Sequence, residues 1–157
     1  SKAVSVINAN RLLADRRLRA SDIRSQLVSC SDQVRRYCLH LVGEYRRVEE
    51  GAELLRSGRF REFGKLLNRS HESLRDNFEV SCPEIDWLVK RAQETDGAYG
   101  AKMLGAAFGG STVAIMKNDS IVKYRRRLDE YERIFGFRTR LLTCTPSRGA
   151  RILYSTH

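Results

Sequence analysis

Proline is scarce: the 157 residues contain two, Pro83 and Pro146, so few positions are barred from helix or sheet by ring geometry. Glycine is limited to 11 residues and aromatic side chains to 8%, which excludes a collagen-like or low-complexity chain. With 41% apolar residues the chain is not a disordered one either. No apolar run approaches the ~20 residues needed to cross a bilayer, so no membrane partner is expected. The opening Ser1-Lys2-Ala3-Val4-Ser5 lacks the apolar core of a secretory signal. The four cysteines, Cys30, Cys38, Cys82 and Cys144, form no C-x-x-C pair and stand at no metal-ligand spacing from a histidine. They read as free, small apolar side chains, which points to a cytoplasmic protein without a metal site of its own.

What the chain does have is positive charge, 29 Lys+Arg against 19 Asp+Glu, a net +10. Clustered cations would signal nucleic acid through counterion release. Here Arg16-Arg17, Arg35-Arg36, Arg46-Arg47 and Arg125-Arg126-Arg127 lie on separate segments, mostly mixed with acids and without aromatic RNA-binding motifs or zinc-finger spacing. A solvated Arg-rich surface is the better reading, and nucleic acid is not an expected partner.

The length suits one domain, 1–157. Residues 1–20 have weak periodicity and read as a residual connection; 21–96 read as helical and 97–154 as the sheet-containing part. Ser31 is placed to cap a helix whose apolar residues Val34, Cys38, Leu41, Tyr45, Val48, Ala52 and Leu55 recur by fours and threes. That stripe is the expected core seam. Ser57-Gly58 ends the helix. A second helix carries Phe60, Phe63, Leu67, Ser70, Leu74 and Phe78, so an N-terminal helical hairpin is expected. Pro83 sits at the first position of a third helix, which Asp96-Gly97 stops. The pattern then shifts to short strands over 98–104 and 111–116, a helix capped by Asn118 or Asp119, and strands over 137–145 and 150–154. Helices segregated from a small sheet indicate an α+β fold, the sheet mostly antiparallel.

Chemistry is sparse. His40 and His71 fall within helical patterns and read as ordinary helix-face or buried residues. Glu72, Asp76, Glu79, Glu84 and Asp86 show no acid–base pairing. No nucleophile motif is present, so no catalytic residue is assigned. The remaining candidate is the small-residue loop Gly105, Ala106, Ala107, Phe108, Gly109 and Gly110, whose backbone N–H groups can approach an anion. It lacks the spacing of a P-loop or a dinucleotide fingerprint.

Three stretches together carry a resemblance. Ser70-His71-Glu72-Ser73-Leu74-Arg75-Asp76-Asn77-Phe78-Glu79-Val80-Ser81-Cys82-Pro83-Glu84-Ile85-Asp86 resembles the S-H-x-S-L-R-D-x-Y/F-E-V-S-C-P-E-L/I-D segment of galactokinases. Gly97 to Gly110 resembles their G-x-Y-G-A/S-R/K-M-T-G-G-G-F-G-G segment, the third signature of the galactokinase, homoserine, mevalonate and phosphomevalonate kinase (GHMP) superfamily. Arg35 to Glu44 stands where they carry R-R/A-x-x-H-V/L-V-x-E. The resemblance spans about 21–151.

It implies a ferredoxin-like GHMP kinase C-terminal domain, with a four-stranded, mostly antiparallel sheet and helices on one face. It also implies that the N-terminal catalytic lobe is absent, since no G-L-S-S phosphate loop occurs. The implied parent is a galactokinase that makes galactose 1-phosphate from galactose and ATP with Mg²⁺, in the cytoplasm. Its missing N-terminal lobe is the implied partner, and this lobe alone is expected to be inactive, helping to close the nucleotide site. The alternative is a non-catalytic sugar- or nucleotide-binding module. Leu104 replaces the usual Thr, and Ala106 and Ala107 replace glycines, so the third signature is degenerate. Phe108 is expected to pack beneath the loop, with Gly105 as a hinge and Gly109 and Gly110 nearest phosphate.

Overall fold

A computed structural model of the chain describes residues 28, 30–105, 108 and 110–146. The expected connection over 1–20, loop residues Ala106, Ala107 and Gly109, and the expected strand at 150–154 lie outside the described residues. Six elements follow in order: α1 (Asp32–Arg56), α2 (Phe60–Asp76), α3 (Pro83–Gln93), β1 (Ala98–Leu104), β2 (Ser111–Met116) and α4 (Asn118–Phe135). None of these helices is long and apolar enough to cross a membrane.

β1 and β2 pair antiparallel, with Ala101 opposite Ala114 and Leu104 opposite Ser111, and with an irregularity between Ala98 and Gly100. Side chains alternate across β1, as its pleat requires. Ala101 and Met103 enter a core with Ile85, Val89 and Ala92 of α3 and Tyr124 of α4. Lys102 points the other way, toward α1 and α2, where its Nζ donates to Ser70 Oγ at 2.6 Å. α3 and α4 thus cover the face carrying Ala101 and Met103, while α1 and α2 lie toward Lys102.

α2 runs beside the outer edge of β1. A Cβ on Gly64 would overlap the Tyr99 carbonyl, and one on Gly100 would overlap the backbone of Gly64, so only two glycines permit this approach. One turn on, Asn68 Oδ1 accepts the Ala101 N–H at 2.9 Å and Gln93 Nε2 at 3.0 Å. The helix thus covers a strand edge that would otherwise expose unpaired backbone groups.

α1 packs on α2 with its contacts in opposite order along the two helices. Gly51 lies against Phe63 and Leu66, His40 Nδ1 is 3.0 Å from Ser73 Oγ, and Arg36 reaches Glu79. Cys38 of the expected seam is buried, but farther along α1 the residues turned inward differ from it. His40, Gly51 and Leu54 are buried, while Leu41, Tyr45, Val48 and Leu55 are exposed, Val48 by 69%. The cause is the partner surface: Ser70, Ser73 and Lys102 call for polar groups, so His40 and Glu44 turn inward in place of Leu41 and Tyr45.

The strand expected over 137–145 is also corrected. Among the described residues the sheet has two strands, and 137–146 is irregular. Phe137 packs edge-on to Tyr131 at 5.4 Å, Arg138 Nε donates to Glu132 at 2.9 Å, and Leu141 packs against the α3–β1–α4 core. These contacts draw the chain back along α4 instead of beside β2. α4 begins after Lys117, whose side chain makes no cap bond, so neither Asn118 nor Asp119 serves as cap.

Gly64→Ala is expected to lower unfolding stability by about 3 kcal/mol, because the methyl meets backbone that no rotamer change can move. Urea denaturation checks this; a variant with the parent's midpoint contradicts the close approach.

Candidate functional site

The loop joining β1 to β2 stands at the end of the strand pair, and three of its residues are described. Gly105 and Gly110 have φ of 81° and 107°, and Phe108, which has a side chain to accommodate, has φ of 59°. A non-glycine residue there costs roughly 1–2 kcal/mol. The compensating bond is visible: the Phe108 N–H donates to the Val80 carbonyl at 2.8 Å. Among the described residues, a Cβ on Gly105 would meet nothing within 4 Å, so the backbone there is open to an approaching ligand.

Phe108 is 69% exposed and Leu104 45%. The expectation that Phe108 packs beneath the loop is therefore wrong. The left-handed backbone that lets its N–H reach Val80 sends its ring outward.

Val80 belongs to the junction between α2 and α3, and α1 holds that junction. Phe78 stacks on His40 at 4.7 Å and meets Tyr37 edge-on at 5.1 Å. Asn77 Nδ2 donates to Ser73 Oγ at 3.2 Å, the hydroxyl that also faces His40. The three stretches that carry the family resemblance are thus one physical unit: the start of α1 steadies the junction, and the junction holds the loop.

A polar network lies behind it. Glu44 takes Arg47 Nε at 2.7 Å and Lys102 Nζ at 3.4 Å. Burial pushes the Glu44 carboxyl up, but hydrogen bonds with Ser70 and Arg47 and the charges of Lys102 and Arg47 outweigh it and leave the group below its usual range.

On the other side of α2, His71 is 3% exposed, with Nε2 3.2 Å from Asp86 Oδ1. That contact is not aligned as a hydrogen bond, and both ring nitrogens lack one. Asp86 instead accepts Ser81 Oγ at 2.5 Å. Sequence spacing gave no sign of this cluster, because its members sit on α2, the junction and α3. Burial lowers the proton affinity of both His40 and His71, opposed in part by Glu44 and Asp86 respectively.

Three of the five acids named from sequence pair within the chain: Asp76 with Arg75, Glu79 with Arg36, Asp86 with Ser81. Among the described residues no group of three or more His, Cys, Asp or Glu side chains is arranged to hold a metal. The four cysteines are free. An open cleft of about 410 Å³, lined by Arg125, Leu128, Glu132, Arg138 and Leu141 among others, shares no residue with the loop. What the site offers is shaped backbone rather than reactive side chains.

The chain is similar to known proteins over much of its length. A family model described as GHMP kinases C terminal matches residues 52–132. The chain is 40% identical over 114 residues to human galactokinase, covering 73% of this chain and 28% of that protein. To the galactokinase of Roseiflexus sp. it is 41% identical over 111 residues, covering 70% and 28%. The crystal structure of Lactococcus lactis galactokinase complexed with galactose superposes with a TM-score of 0.72 at 31% identity, over 77% of this chain and 32% of that one. The chain therefore spans about a third of the length of the relatives it matches.

Because His40 and His71 bind protons less readily folded than unfolded, stability is full above the ordinary histidine value of about 6.5 and is lost as pH falls through the lowered folded values. The slope is at most about 1.4 kcal/mol per pH unit for each ring. Urea denaturation at pH 7.5 and at lower pH should show it, with a shallower slope in His71→Gln; an unchanged slope contradicts the burial of that ring.

Proposed function

Since the chain belongs to the GHMP kinase C-terminal family, we propose that it is the C-terminal lobe of a galactokinase, the enzyme that transfers the ATP γ-phosphoryl group to galactose to give galactose 1-phosphate. Phosphoryl transfer depends mainly on positioning and on stabilising charge at the transferring group. A lobe without an assignable acid or base suits such a task.

In this reading the β1–β2 loop closes over the nucleotide from one side of a cleft whose other wall is the N-terminal lobe. Gly105 and Gly110 offer main-chain N–H groups at the approach to phosphate. The observation that carries the reading is the loop's backbone: three described residues in left-handed conformations, one anchored at Val80, and open space around Gly105. At Gly105 an anion can approach the main chain without a side chain of that residue in the way. When bound, ATP supplies the transferable phosphoryl group and Mg²⁺ offsets its charge. The sugar-recognition groups, the Ser-rich phosphate loop and the carboxylate at the reacting hydroxyl belong to the N-terminal lobe.

The 157-residue chain alone, given ATP, Mg²⁺ and galactose, is expected to yield no galactose 1-phosphate in a coupled assay, and the two-lobed protein that carries it is expected to turn over. Turnover by the chain alone contradicts the division of labour. A two-lobed protein that binds ATP or galactose in calorimetry without turnover selects the non-catalytic binding module instead.

A further inference from the structure

Glu79 is a non-glycine residue with φ of 58°, a conformation side chains rarely adopt and one that surrounding contacts must hold. Its carboxylate accepts Arg36 Nη2 at 2.7 Å across 43 residues of sequence. Arg36 is in turn fixed on α1 by Asp32 at 3.1 Å.

The turn at Glu79 has a definite consequence. It separates Phe78, which is clamped between Tyr37 and His40, from Val80, whose N–H returns to the Leu74 carbonyl at 3.1 Å. With the Val80 N–H bonded back to α2, its own carbonyl is free for the Phe108 N–H. Two residues with left-handed backbone, Glu79 and Phe108, are thus linked through one hydrogen bond, and the ion pair stands at the end farther from the loop.

We propose that Arg36 and Glu79 form a latch that sets the shape of the β1–β2 loop through the Val80 carbonyl, which makes both of them positioning residues for nucleotide binding. Neither touches the nucleotide. The proposal rests on the reading of the loop given above. It differs from a simple structural brace because the pair is half exposed, with side-chain exposures of 36% and 45%. Ion pairs so placed contribute little to global stability, so losing this one is felt at the loop and not across the core.

Amide hydrogen exchange of the 157-residue chain tests the latch without any nucleotide. In Arg36→Met and in Glu79→Gln, exchange at the Phe108 amide should rise about two- to fivefold, the range of a half-exposed ion pair. The Ala101 amide, bonded to Asn68 within the core edge, should keep its rate. Arg36→Lys, which keeps a cation between Asp32 and Glu79, should hold Phe108 closer to the parent than Arg36→Met does. Unchanged exchange at Phe108, or equal acceleration at Phe108 and Ala101, overturns the latch.

In the two-lobed protein the same single variants should raise KM for ATP by about two- to fivefold without raising that for the sugar. Faster Phe108 exchange with an unaltered KM for ATP leaves the latch in place and removes the nucleotide reading of the loop.

Discussion

Gly64 on α2 and Gly100 on β1 approach so closely that neither position has room for a side chain. Most of the architecture follows from that contact. It fixes α2 along the outer edge of β1, and successive contacts then advance together: Gly64 at Gly100, Asn68 at Ala101, Ser70 at Lys102. Helix and strand run in the same direction. The chain leaving α2 therefore arrives where β1 ends, and Val80 meets Phe108. A methyl group at either glycine would push the helix from the strand and carry the junction away from the loop.

Much of this was legible in the residues. Ser31, Gly58 and Pro83 punctuate the chain where helices start and stop, because each acts locally. The bounds of β1 and β2 agree with their patterns for the same reason. The inward face of α1 was not legible, because apolar spacing ranks Leu41, Tyr45 and Val48 above His40 and Glu44. Only the positions of Ser70, Ser73 and Lys102 on other elements reverse that order. The stretch 137–145 looked like a strand by composition, yet pairing is decided by neighbours, and Phe137 and Arg138 find theirs on α4.

The loop shows the same division. Its glycines and its likeness to a kinase signature mark it as a candidate, but not how it is held. The hydrogen bond from Phe108 to Val80 joins residues 28 positions apart and involves only backbone atoms, so no side-chain pattern encodes it. The outward ring of Phe108 follows from that bond. The stretches that carry the resemblance are separate in the sequence; the structure gives them a shared task, since Tyr37, His40, Phe78 and Glu79 all act on the main-chain path that ends at the loop.

In the proposed reading the lobe stabilises charge with peptide dipoles, a task that needs rigid backbone more than titratable groups. The most direct test is a titration of the isotope-labelled two-lobed protein with a non-hydrolysable ATP analogue, following backbone amide resonances. The largest shifts are predicted at Gly105 and Gly110, with the Phe108 amide still protected by Val80. Shifts confined to other parts of the lobe, with the loop amides silent, would contradict the assignment of this loop to phosphate.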